Sequence, residues 1–333
     1  MSVPSDVQAE VGPDSIVDVA IGYMAAKQLF AANEAGLFAA LADGRAPLEE
    51  LATRTGLPTR TALILADAMV GLGLLERDAD GYANSPATLR HLSGSGQDVD
   101  LRPFLSFLDT VSYPHWLGFA ETSRTARPAP LDLGGDRLGV FLGGVMTYNA
   151  LHARMLARAY DFGAHRRVLD LAGLSGSFLA EALRAHPRLR ATFVSGGDLV
   201  GHAEQTLAAA GVEERVEVVT ADPLTDEVPT GFDLVLLEHV VHRFDAEQNR
   251  RIVAAARKAA EPGARLLLLD FFLEPDGVPR LIDTLHAGEY LVIDGTTVYP
   301  RGEVEDWLVE AGWQPVDLLE LPGSPRVIVA EAR

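Results

Sequence analysis

Two histidines, His239 and His242, stand three residues apart just beyond the apolar run 232–237, and a third, His286, precedes Glu289 by three residues in a later helical segment. An imidazole with its ordinary pKa near 6.5 can take up a proton at neutral pH, which is the work of a general base. Imidazoles with a carboxylate are also the donor set of a facial metal site. The structural alternatives are a helix cap, a surface histidine or the polar wall of a substrate pocket. Spacing does not separate these readings, so His239, His242 and His286 stand as a possible metal set and no metal is assigned. Cysteine is absent, which removes thiolate nucleophiles, disulfides and cysteine zinc sites together.

The chain that must position these residues has 333 residues, 48% of them hydrophobic. That is enough for a packed core and long enough for two domains. The formal net charge of −19 argues against the basic, phosphate-tracking surface of a nucleic-acid binder and against anionic membranes. No apolar run reaches the ~20 residues that a membrane helix needs. The polar, acidic start MSVPSDVQAEVGPDS lacks the basic region of a secretory signal. A cytoplasmic protein is expected.

From 15 to 38 apolar residues recur at helical spacing, with Asp14 and Ser15 as N-caps after Pro13. The segment 48–52, a turn at 55–59 and an apolar helix over 60–72 form a helix-turn-helix, and 74–82 reads as a small hairpin. Three helices and a hairpin predict a winged helix, here a dimerisation module because the acidic charge opposes DNA. Residues 95–135 read as a connector, and a helix over 139–160 leads into the second domain. Strands are then expected at 168–171, 190–194, 216–219, 232–237 and 265–272, alternating with helices at 177–186, 202–210 and 246–260, the last stopped by Pro262-Gly263. A helix over 300–311 and a strand over 326–330 close the chain. Continuously apolar strands between amphipathic helices predict an α/β fold with a parallel, doubly wound sheet and a ligand beyond the carboxyl ends of its first strands. The expected divisions are a winged-helix dimerisation domain over 1–100, a helical connector lining the substrate cavity over 101–160 and a Rossmann-like domain over 161–333.

Five motifs follow in order behind that front half: VLDLAGLSGSF, ATFVSGGDLV, VVTADPL, GFDLVLLEHVVHRFDAEQNRRIV and EPGARLLLLDFFLEPDG. Together they resemble the class I methyltransferase domain of plant-type and bacterial natural-product O-methyltransferases. The winged-helix half is similar to that family's dimerisation domain, so the resemblance covers nearly the whole chain. It implies a homodimer, S-adenosylmethionine as cofactor and an aromatic or polyketide-like small-molecule substrate. The implied cofactor site comprises Asp170, Gly173, Gly176, Ser195, Asp222 and Glu238. Ala172 and Leu174 stand where the family has glycines that let the chain pass close to the cofactor. Ser195, with Asp198 nearby, replaces an acid that accepts both ribose hydroxyls, a change costing on the order of 1–3 kcal/mol. Asp222 takes the position facing adenine, and Glu238 stands where a basic or neutral residue is common.

The resemblance gives His242 the role of general base and Asp270 that of an orienting acid, while the family's second acid is missing from 294–299. Met146, Tyr148, Asn149, His286, Glu289 and Tyr290 are implied as substrate contacts, with Trp116 and His152 in the same lining segments. The expected activity is O-methylation of a phenolic or enolic hydroxyl in secondary metabolism. The alternative keeps the fold, the dimer and His242 but uses the pocket for cyclisation, decarboxylation, elimination or isomerisation, since one fold hosts many chemistries.

Overall fold

The computed structural model describes residues 12–96 and 98–333. The start of the chain read above for targeting lies mostly outside the described residues. The chain divides into two compact units, one ending at Val111 and the other beginning at Ser112.

The first unit contains α1 (Pro13–Glu34), α2 (Leu48–Thr55), α3 (Thr59–Gly71), the strands β1 (Leu75–Asp78) and β2 (Gly81–Asn84), α4 (Pro86–His91) and α5 (Arg102–Phe107). This is the expected winged-helix arrangement. Asp14 and Ser15 are not its first cap: Gly12 is the N-cap and Pro13 occupies the first helical position, where a missing N–H costs nothing. Gly36, at φ 69°, follows the end of α1, so the helix stops short of Phe38. β1 and β2 pair antiparallel from Leu75↔Asn84 to Asp78↔Gly81. A Cβ at Gly81 would lie 2.2 Å from the Ala46 carbonyl oxygen, so only glycine lets the chain bridge there.

The second unit begins with α6 (Tyr113–Trp116), α7 (Phe119–Thr125) and α8 (Arg137–Ala159). Then β3 (Arg167–Leu171), α9 (Ser177–Ala185), β4 (Arg190–Ser195), α10 (Gly197–Ala209), β5 (Val216–Thr220) and β6 (Phe232–Glu238) alternate. They are followed by α11 (Ala246–Ala259), β7 (Ala260–Asp270), α12 (Leu281–Ile293), α13 (Arg301–Glu310), β8 (Trp313–Glu320) and β9 (Arg326–Ala332). The sheet runs β5-β4-β3-β6-β7-β9-β8, parallel through β7, with β9 and β8 antiparallel. No helix among the described residues is long and apolar enough to cross a membrane.

The period of two along each strand builds both cores. Leu266 and Leu268 of β7 pack on one face with Ile252, Val253 and Trp307. Leu267 and Leu269 pack on the other with Leu156, Phe178 and Leu183. Each such buried side chain contributes about 1.5–3 kcal/mol of transfer free energy, which is why every strand residue in this stretch is apolar.

Two expected boundaries are corrected. α10 starts at Gly197, capped by Gly196 in an extended conformation, and not at residue 202. Pro262-Gly263 does not stand outside the regular structure: α11 has ended at Ala259, and β7 runs through the pair with a register shift opposite Phe232/Leu234. Such an irregularity at a strand's start is where proline is tolerated. The sheet order reverses between β3 and β6, so the loops after these two strands form the walls of a crevice.

Candidate active site

β6 ends at Glu238, and the chain turns sharply through His239, whose φ of 53° is unusual for a residue with a side chain. The His239 N–H donates to the Leu269 carbonyl at 2.8 Å, anchoring the turn to β7. Asn249 Nδ2 donates to the carbonyls of Val241 at 2.8 Å and Phe244 at 3.0 Å. Asp245 caps α11 through a capping box with Gln248. These ties hold His242 in place from both sides.

His242 Nδ1 lies 3.0 Å from each carboxylate oxygen of Asp270, at the end of β7. Burial alone would raise the Asp270 carboxyl. The adjacent His242 imidazole, by its field and its hydrogen bond, and the Phe271 N–H nevertheless hold it below the ordinary carboxylate range. An ionised Asp270 accepts Nδ1–H and leaves Nε2 with its lone pair, the tautomer a general base requires. The imidazole stacks on Tyr290, centroids 4.3 Å apart.

A neutral histidine shell surrounds this pair. Burial pushes His239 down to about 3 and His286 down to about 4. His152, fully buried, is lowered by desolvation and by its histidine neighbours. His286 Nδ1 donates to the Ile282 carbonyl at 2.8 Å, so its Nε2 accepts from the Tyr148 hydroxyl at 3.2 Å. Its ring stacks on Phe271 with centroids 3.7 Å apart. His286 is therefore not the third member of a metal set. Among the described residues that group is His239, His242 and Asp270, each with a ligand atom within 4.8 Å of the others.

The remaining expected substrate contacts scatter. Met146 is half-buried on α8. Asn149 faces the glycine loop, accepting from Ser175 Oγ at 2.6 Å. Glu289 accepts from Ser112 Oγ at 2.8 Å and Trp116 Nε1 at 2.5 Å, while its Oε1 is buried without a partner. Burial raises its carboxyl despite these donors.

On the β3 side, Asp170 and Glu238 bury their carboxyls against each other as a proton-sharing pair, and Asp170 Oδ1 and both Glu238 oxygens have no other partner. A Cβ at Gly173 would meet Asp170 Oδ1 at 2.0 Å, so glycine is obligatory there. Ala172 adopts φ 62°, which costs about 1–2 kcal/mol relative to glycine. Gly176, at φ 67°, is the N-cap of α9. Ser195 Oγ donates to the Gly173 carbonyl at 3.0 Å. Asp222 is exposed after β5. Arg243 was missed from the sequence. It is half-buried, donates to the carbonyls of Ala172 and His239, and so ties the loop after β3 to the turn after β6; desolvation lowers its guanidinium to about 10.

Burial raises the Asp170 carboxyl from 3.8 to about 7, against the hydrogen bond of Glu238 and the charge of Arg243, while Glu238 is raised further by burial and by Asp170. The folded protein thus keeps a proton that the unfolded chain loses from pH 3.8 upward. The stability this gives is complete below pH 3.8 and is lost as pH climbs through about 7. Glu238→Gln removes the second charge, so its Tm relative to the parent rises with pH across that interval. A Tm difference that stays flat would contradict this.

A family model for the O-methyltransferase domain matches residues 136–314, and one for the O-methyltransferase dimerisation domain matches residues 17–94. The chain is similar to the 3-hydroxy-5-methyl-1-naphthoate 3-O-methyltransferase of Streptomyces sahachiroi, 33% identical over 326 residues, covering 95% of this chain and 94% of that protein. It is 30% identical over 328 residues to the tetracenomycin polyketide synthesis 8-O-methyl transferase TcmO of Streptomyces glaucescens, covering 96% of each. The apo crystal structure of the S-adenosylmethionine-dependent methyltransferase SibL superposes with a TM-score of 0.82 at 30% identity, over 96% of this chain and 99% of that one.

Proposed function

The chain belongs to the O-methyltransferase family, and from that premise we propose that it methylates a phenolic or enolic hydroxyl of an aromatic, polyketide-like metabolite. The observation that carries the reading is His242 Nδ1 held by both oxygens of a buried Asp270. In this account His242 Nε2 takes the proton of the acceptor hydroxyl while the methyl group is transferred, and Asp270 stabilises the imidazolium that forms. Tyr290 positions the imidazole by stacking, and the hydroxyl of Tyr148 fixes His286 beside it. Glu289 Oε1, buried and unpartnered, offers one acceptor to a hydroxyl of the substrate.

S-adenosylmethionine supplies an electrophilic methyl group on a sulfonium. The residues present fit it in the chemistry of their donors. The carboxyls of Asp170 and Glu238, which have no partner besides each other, would ionise beside an ammonium and a neighbouring positive charge, because a nearby cation favours the charged form. The N-terminus of α9, where Gly176 supplies no side-chain cap, suits a carboxylate, as does Arg243. Ser195 donates to Gly173 and keeps its lone pairs for one ribose hydroxyl, where a carboxylate would serve two. Asp222 is exposed and available to an adenine amine.

The test is a single assay with S-adenosylmethionine and a hydroxynaphthoate acceptor. Formation of the methyl ether supports the reading; calorimetry that detects no binding of S-adenosylhomocysteine would contradict it.

The same reading makes the protein a cytoplasmic homodimer. On α1, Ile16 is 67%, Val19 83% and Tyr23 52% exposed, within the matched dimerisation domain. Large apolar side chains exposed together on one helix mark an interface, and a second copy is the partner that the family supplies. Ile16→Asp with Val19→Asp should convert the dimer to monomer by light scattering, and an unchanged mass would refute this interface.

A further inference from the structure

We propose that His239, His242 and Asp270 bind one divalent transition-metal ion of the Zn2+ or Co2+ class, and that the ion switches off the base. The metal site stands on geometry alone; only the switching rests on the proposed role of His242. A ligand atom of each residue lies within 4.8 Å of the others. The 3.0 Å between His242 Nδ1 and each Asp270 oxygen is about the separation of adjacent ligands bound at roughly 2.1 Å.

His239 is prepared as the third ligand. Its Nε2 lies 2.9 Å from His152 Nδ1. When Nε2–H donates to His152, His239 Nδ1 keeps its lone pair, the second-partner arrangement that orients metal-binding imidazoles. The buried His239 is also held at φ 53°, and strain of this kind persists where a site requires it. Two imidazoles and one carboxylate suit Zn2+ or Co2+ better than Mg2+ or Ca2+, which prefer all-oxygen shells. Water completes the coordination.

The switch is a change of tautomer. In the metal-free dyad the single imidazole hydrogen of His242 is on Nδ1, facing Asp270, and Nε2 is basic. A metal ion on Nδ1 moves that hydrogen to Nε2. The ring stays neutral, no proton is gained or lost and no electron is transferred, but the lone pair that would accept the substrate proton is gone.

The full-length protein, stripped with EDTA, is titrated with Co2+ alone. The visible absorption of bound Co2+ should saturate at one equivalent and be displaced by Zn2+. His239→Asn, chosen because asparagine tolerates positive φ, should weaken binding about tenfold or more; Asp270→Asn replaces it if that variant does not fold. Zn2+ should inhibit methyl transfer with the midpoint at which it displaces Co2+, and EDTA should restore it. No saturable absorption, or equal affinity in a folded His239→Asn, overturns the site. Full activity with Zn2+ bound overturns the switch. A stripped enzyme that methylates but binds no Co2+ leaves the general-base reading intact, whereas one that binds Co2+ but never methylates refutes that reading and leaves the metal site standing.

Discussion

His242→Ala should lower kcat for methyl transfer by about 10²–10⁴-fold, the usual worth of a positioned general base, with S-adenosylhomocysteine affinity unchanged. The imidazole is fixed by Asp270 and by stacking on Tyr290, and its turn is held by Asn249 through backbone carbonyls. Removing the ring therefore deletes the proton acceptor without releasing the turn. Quench-flow single turnovers with calorimetry of the same protein separate the two effects. A fall in cofactor affinity matching the fall in rate would place His242 in cofactor binding instead.

Asp270→Asn should be comparably severe, on the order of 10³–10⁴-fold in kcat, as expected when a neutral amide leaves the imidazole in the wrong tautomer. The Phe271 N–H donates to Asp270 Oδ1 at 2.9 Å. An asparagine will keep its oxygen there and turn its NH2 toward His242 Nδ1. That amine can only donate, so Nδ1 must carry the lone pair and Nε2 the hydrogen. Because the Asp270 carboxyl is held below the ordinary range, it stays charged at neutral pH and will not shape the pH profile there. An Asp270→Asn enzyme with parental kcat would show that the tautomer is irrelevant.

The architecture was largely legible because it follows from residue periodicity. The stretches 234–237 of β6 and 266–269 of β7 are continuously apolar, as expected of a sheet covered on both faces. The carboxyl ends of β3, β6 and β7 carry Asp170, Glu238 and Asp270, so a parallel sheet brings these acids to one edge. What escaped was set by partners distant in sequence. Ser195 bonds to a carbonyl 22 residues away and Asn149 to a serine 26 residues away, and neither link has a local pattern. Arg243 was invisible because a lone arginine in a turn is ordinarily solvated; here the carbonyls of Ala172 and His239 and the charge of Asp270 compensate its partial desolvation. The early start of α10 has the same character, since Gly196-Gly197 reads as loop until Gly196 is placed as a cap.

Varying the acidity of the acceptor shows whether His242 removes its proton. A nitro-substituted phenolic acceptor, already ionised at the assay pH, needs no base. His242→Ala should methylate it at close to the parental rate while losing about 10²-fold or more with an un-ionised phenol of the same shape. An equal loss with both acceptors would mean that the imidazole does something other than accept the proton.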